Sequence, residues 1–149
     1  AEMNPDDAIV HFIYGDVLAQ KGDFAASAAH LQTAIELEGA HIDFRQLYAG
    51  VLDSLHRFEE ADHQRAFRHY LTGKQREFVG QWDLALEEYQ TAAGLTMDNA
   101  LFFAAQGLVY VKKRLFTEAE LFLLQAIELD PQNDRAYRPG RWRNSRARD

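Results

Sequence analysis

The chain has 149 residues and no cysteine, is 47% hydrophobic, and carries a formal net charge of −7. That length suits one domain with a continuous core, the missing cysteine removes disulfide and thiol chemistry, and no run approaches the roughly eighteen apolar residues of a membrane span. The charge is uneven: residues 138–149 hold five arginines against one aspartate, a net +4 that leaves −11 on residues 1–137, a body that repels nucleic-acid phosphates and anionic lipid.

In chain order, Asn4, Pro5, Asp6 and Asp7 suit a turn into a helix N-terminus, with the aspartates at the positive end of the helix dipole. The first helix is expected from about Asp7 to Gln20, followed by a turn at Lys21–Gly22–Asp23 and a partner helix from Phe24 to Leu37, closed by Gly39 in the left-handed cap conformation. A third helix, Ile42 to Leu55, carries Leu47, Ala49, Leu52 and Leu55 inward. From Phe58 onward no turn signal occurs until Gly80, so the simplest expectation is one long helix over about 58–79 that serves both neighbours, with Gly73 inside it as a contact point. The alternative is a kink or short turn at Thr72–Gly73–Lys74, since a glycine within a helix costs about 1 kcal/mol relative to alanine.

After Gly80 come a helix from Trp82 to Leu95, a turn at Met97–Asp98–Asn99, and two antiparallel helices between Ala100 and Pro131 that break at Lys112–Leu115. Gly107 facing Ala119 lets these last two backbones approach closely, with Tyr110, Phe116 and Leu123 filling the space above and below. Pro131 stops the second of them, because proline lacks the N–H and disfavours a helical residue before it.

The same spacing recurs through the chain. Gly15, Ala49, Gly73 and Gly107 form one series; Phe24, Phe58, Trp82 and Phe116 a second; Ser27, Ala61, Ala85 and Ala119 a third. In all three the intervals are 34, 24 and 34 residues, which makes the chain an array of helical hairpins. On these residues it resembles the tetratricopeptide repeat (TPR) family, over roughly residues 5–138, most closely in the first and last hairpins. The resemblance implies an all-α, α-α superhelix of about seven helices, with units at about 8–41, 42–79 (irregular), 80–99 (a half unit) and 100–131, followed by a basic tail at 138–149. The 24-residue interval removes one helix, which would invert the second half relative to the first. Both ends read as cuts at the edge of a longer array, so a fragment of a larger repeat protein, or an array that oligomerises to cover its ends, is expected.

No catalytic constellation is encoded. The histidines at 11, 30, 41, 56, 63 and 69 are never four apart, and there is no His-Glu-x-x-His pair. His63 and His69 with Asp62 read as solvated helix-face residues. Glycines 22, 80 and 94 stand alone, so no phosphate loop is present, and the adjacent pairs Glu59–Glu60 and Glu87–Glu88 point about 100° apart on a helix and do not converge. The expectation is a non-enzyme without cofactor or metal.

Binding is the default for stacked hairpins, whose first helices line a concave surface. By resemblance to the family, that lining is Ile9, Phe12, Asp16 and Ala19 in the first hairpin, and Asp43, Gln46, Gly50 and Asp53 in the second. In the last it is Leu101, Ala104, Leu108 and Val111, and in the long helix Phe67, Tyr70, Lys74 and Glu77. Family members that grip acidic chaperone tails use a basic and amide clamp; here those places hold Phe12, Asp16, Asp43 and Leu47, so the expected ligand is a hydrophobic, neutral or basic peptide or partner protein. The bland reading of Phe12, Phe67, Tyr70 and Phe78 is ordinary core.

Self-assembly into a homo-oligomer is the second class of function. Size and acidity are also similar to bacterial type III secretion chaperones. Trp142 among the tail arginines raises nucleic-acid contact, which the acidic body disfavours; a tail of this composition is expected to be disordered or an added sequence. Cytoplasmic location is favoured, with the periplasm as the alternative if a signal peptide has been removed.

Overall fold

A computed structural model describes residues 7–130, and those residues form seven helices and no strand. They are α1 (Ala8–Gln20), α2 (Phe24–Leu37), α3 (Ile42–Ser54), α4 (Phe58–Phe78), α5 (Trp82–Leu95), α6 (Ala100–Lys112) and α7 (Phe116–Leu129). The all-helical architecture and the single long helix agree with the expectations above; α4 continues through Gly73 without a turn. Pro131 and the tail at 138–149 lie outside the described residues.

Three of the helices, α1, α2 and α6, begin where short polar side chains satisfy the first free N–H groups. Asp7 accepts from the Ile9 N–H at 2.9 Å, Asp23 from that of Ala26 at 3.3 Å and Asn99 from that of Leu101 at 2.9 Å. The ends fall into two kinds. Within hairpins the turn is a six-residue closure: Asp23 N–H to Leu18 C=O, Arg57 to Leu52, Gln81 to Arg76 and Leu115 to Tyr110, each at 2.9 Å. The residue before each of those donors lies in the left-handed region, with φ of +84° at Gly22, +59° at His56, +81° at Gly80 and +62° at Arg114. These four positions keep the intervals of 34, 24 and 34. Between hairpins the chain leaves its helix in a more open conformation, at Glu38 (φ −138°), Thr96 (φ −137°) and Asp130 (φ −147°). Gly39 therefore does not form the left-handed cap expected of it. Its carbonyl instead accepts from Arg45 Nε at 2.9 Å.

Two of the four left-handed positions carry side chains, at a cost of about 1–2 kcal/mol each. Part is returned by His56 lying edge-on to Phe58 and by Arg114 standing over the Phe116 ring, both at 5.7 Å. Arg114→Gly is expected to raise unfolding free energy by about 0.5–1 kcal/mol in urea titrations, with unchanged helix content. A loss of stability would show that the arginine–ring contact outweighs the backbone strain.

The chain divides into two compact units, one ending at Thr72 and one beginning at Gly73. In the first, α1 packs on α2 and α2 on α3. A Cβ on Gly15 would lie 2.8 Å from Leu31 Cγ, and Ser27 Oγ donates to the Gly15 carbonyl at 2.6 Å, so the two backbones touch where the sequence places small residues. Ala28, Leu31, Tyr48, Ala49, Val51, Leu52 and Ala61 make one core cluster, with Leu47 and Leu55 half-buried against it; Ala8, Ala34 and Phe44 make another. Phe44, Tyr48 and Val51 are core residues that the periodicity did not single out.

In the second unit α5 packs on α6 and α6 on α7. Here a Cβ on Gly107 would lie 2.7 Å from Leu123 Cγ, and one on Gly73 would lie 2.5 Å from Tyr89 Cε1. Three hairpins thus set a glycine against the residue sixteen places later. Tyr110 stacks on Phe122 at 5.4 Å, and Leu123 fills the space at Gly107, but Phe116 does not: it is 55% exposed, as Phe58 is at 56%. Both are first residues of their helices, at the rim of a hairpin, where no further helix covers the ring.

Candidate functional site

In the first unit, α1 shows solvent an apolar row: Ile9, Ile13 and Val17, with Ile13 at 51% exposed, and Asp16 half-buried beside it. Ile13 and Val17 went unmarked in the sequence, because in an almost wholly apolar helix periodicity cannot tell the face that packs from the face that does not. On α3, Asp43, Gln46 and Gly50 are exposed and with Leu47 line a shallow depression of about 400 Å³. Neither Asp16 nor Asp43 makes an ion pair or side-chain hydrogen bond among the described residues. A Cβ on Gly50 would meet nothing within 4 Å.

Other residues expected to line this face are committed elsewhere. Phe12 stacks on Phe44 at 4.6 Å and packs against both core clusters, so it ties α1 to α3. Ala19 packs on the larger cluster. Asp53 pairs with Arg65, which also donates to Asp62 at 2.8 Å; the carboxylate is offset by a cation within the fold. Tyr70 lies edge-on to Phe67 at 5.3 Å, and the Phe67 ring carries the Arg45 guanidinium at 4.3 Å. Arg45, passed over in the sequence, also donates from Nη1 to Gln64 at 2.9 Å, and burial pulls its pKa below the usual arginine value. Its hold on the Gly39 carbonyl pins the α2–α3 loop next to the depression.

In the second unit, α6 exposes Leu108 and Val111, and Leu101 is half-buried. Ala104 is not a lining residue: it is fully buried with Ala100 and Ala126. Nor is Glu77, which is only 8% exposed. Tyr89 donates its hydroxyl to Glu77 Oε1 at 2.7 Å, and Lys112 Nζ donates to Oε2 at 2.5 Å while lying 5.3 Å from the Trp82 ring centre. Burial works to raise the Glu77 pKa, but the bonds from Lys112 and Tyr89, with the charges of Lys74 and Lys112, outweigh it and hold the carboxyl below its ordinary value. On α7, Leu121 and Leu124 are exposed at places where the register of the first hairpin puts Ala29 and Gln32.

Among the described residues no three acidic or histidine side chains cluster to hold a metal ion, and no helix is long and apolar enough to cross a membrane. The groups described on α1 and α3 are an apolar row, two carboxylates and one amide.

A family model for tetratricopeptide repeats matches residues 1–41 and 70–134. Solved structures with a similar fold include the segment of MamA from position 41 to its end from Desulfovibrio magneticus RS-1, at 19% identity over 87% of this chain and 79% of that one, TM-score 0.48. A further crystal structure of MamA aligns at 16% identity over 89% and 83%, TM-score 0.48. YrrB, described as a TPR protein with an unusual peptide-binding site, aligns at 16% identity over 86% and 89%, TM-score 0.39. No curated protein matches the sequence.

Proposed function

This chain belongs to the tetratricopeptide repeat family, whose fold supports a protein–protein interaction scaffold, and from that premise we propose that its first unit holds an extended or helical segment of a partner protein on the α1 and α3 face. The observations that support the reading are an exposed apolar row on α1 (Ile9, Ile13, Val17), two carboxylates, Asp16 and Asp43, that no cation among the described residues offsets, and a depression on α3 lined by Asp43, Gln46, Leu47 and Gly50. An apolar strip of this kind costs solubility unless something covers it. The carboxylates select for the covering segment a basic and apolar composition, through charge complementarity. Gln46 supplies an amide that both donates to and accepts from a peptide backbone. In the second unit Leu101, Leu108 and Val111 offer a smaller apolar surface of the same kind.

The test is a calorimetric titration with a lysine- and leucine-rich peptide. Asp16→Lys combined with Asp43→Lys is expected to weaken binding about tenfold or more while helix content is kept and the melting temperature falls by only a few degrees, since Asp16 is half-buried and Asp43 lies in the first turn of α3, where a lysine opposes the helix dipole. Equal affinity in the variant overturns the reading. Light scattering over the same concentrations separates peptide binding from self-assembly, the alternative that exposed Leu121 and Leu124 favour.

A further inference from the structure

In the second unit the α4–α5 and α6–α7 turns come to the same end, because Lys112 Nζ reaches Glu77 Oε2 and Lys113 Nζ reaches Asp83 Oδ1, both at 2.5 Å. At that end Phe78 is 92% exposed, more than any other large hydrophobic side chain among the described residues, and Val79 beside it is exposed too. Leu115 and Phe116 are exposed on the neighbouring turn. The repeat register does not ask for apolar residues at the tip. The places equivalent to Phe78 hold Gln20, Ser54 and Lys112, and those equivalent to Val79 hold Lys21, Leu55 and Lys113. A ring that stands so far into water contributes little to holding the hairpin together.

The same end gathers the cations. All five Lys and Arg of residues 73–130 are at 74, 76, 112, 113 and 114, whereas six of the nine carboxylates lie farther along the helices, leaving Glu77, Asp83 and Glu118 here. Lys74, Arg76, Lys112 and Arg114 are exposed. Arg76 donates to the uncharged Gln81 at 3.2 Å, and Arg114 stands over the Phe116 ring at 5.7 Å, so no carboxylate among the described residues offsets either guanidinium. A chain of net charge −7 thus carries a local cationic end with an apolar tip.

We propose that this end of the second unit lies on an anionic lipid surface, Phe78 and Val79 sinking into the boundary between headgroups and acyl chains while Arg76, Lys112 and Arg114 meet the lipid phosphates. Phe78 has almost no contact with the rest of the protein, and a protruding ring enters a fluid apolar phase without needing a matched pocket. The long cationic side chains beside it reach outward to phosphate while their stems stay on apolar surface. Each cation near an anionic surface strengthens attachment about fivefold, so the arginines and the lysine add to the two apolar side chains and give a reversible attachment. No described helix is long and apolar enough to cross a membrane, so the contact is peripheral, and the α1 and α3 face of the first unit takes no part in it.

The experiment is co-sedimentation of the full chain with phosphatidylcholine vesicles, with and without about one-third phosphatidylserine, repeated on Phe78→Ser combined with Val79→Ser and on Arg76→Gln combined with Arg114→Gln. The native protein is expected to bind the anionic vesicles about tenfold or more tighter than the neutral ones. Each double variant is expected to lose about tenfold or more of that affinity with helix content kept, since all four side chains are exposed. Undiminished binding after Phe78→Ser with Val79→Ser overturns the proposal and assigns the attachment to the arginines of 138–149. Absence of binding to the anionic vesicles, or capture of a polyglutamate peptide in their place, overturns it as well.

Discussion

Gly73→Ala is expected to destabilise the protein by about 3 kcal/mol, the upper end of what an added methyl costs in a packed interior. The new Cβ would lie 2.5 Å from Tyr89 Cε1 and 2.7 Å from Cδ1. Tyr89 cannot give way, since it is fully buried and its hydroxyl is held by Glu77. Helix propensity argues the opposite, because alanine in mid-helix is favoured over glycine by about 1 kcal/mol. The comparison is therefore sharp: Gly50→Ala and Gly94→Ala, where a Cβ meets nothing within 4 Å, should each stabilise by about 0.5–1 kcal/mol. Urea denaturation of the three variants checks both signs at once.

Glu77→Ala should cost about 2–3 kcal/mol at pH 7, because it leaves the buried Tyr89 hydroxyl without an acceptor and removes the partner of Lys112. The loss stays below that of a fully buried ion pair, since the Lys112 side chain is 48% exposed and its ammonium regains water. The pH dependence follows from the sign of the shift. The folded carboxyl titrates below its ordinary value of 4.5, so its contribution is complete above that pH and is lost as pH falls through the lower, folded value. The gap between native protein and Glu77→Ala should be constant from pH 7 to about 5.5, then close on further acidification. A gap that widens in acid would show a raised pKa and a network held together by something other than the carboxylate.

Much of the fold was legible because the repeat writes the same contact several times. Gly15, Gly73 and Gly107 each stand where the chain must touch itself, and the 24-residue interval made an α4 that continues through Gly73 the simplest reading, with a kink or short turn there as the alternative. The turn positions at 22, 56, 80 and 114 obeyed the same rhythm, yet two were hidden under His56 and Arg114, since composition marks a left-handed residue only when it is glycine. Gly39 misled for the converse reason: a glycine after a helix suggests a cap, whereas the register puts an open exit there. Glu77 was placed in the concave lining because its partners, Tyr89 and Lys112, come 12 and 35 residues later and leave no local trace.

The candidate face was half visible. Of the residues expected by analogy of position, Asp43 and Gln46 are exposed and Asp16 half-buried, while Phe12, Asp53 and Ala104 are committed within the fold. Position in a repeat gives the direction a side chain leaves the helix. It does not say whether a neighbour such as Phe44 or Arg65 is waiting for it.

Backbone amide chemical-shift mapping of the full chain with the lysine- and leucine-rich peptide tests the functional reading most directly. The account predicts shifts concentrated on α1 and α3, at Ile9, Ile13, Asp16, Asp43, Gln46 and Gly50, with α2 and α5 quiet. Shifts centred on α7 around Leu121 and Leu124, or none on α1 and α3 at peptide concentrations that saturate binding, would contradict it.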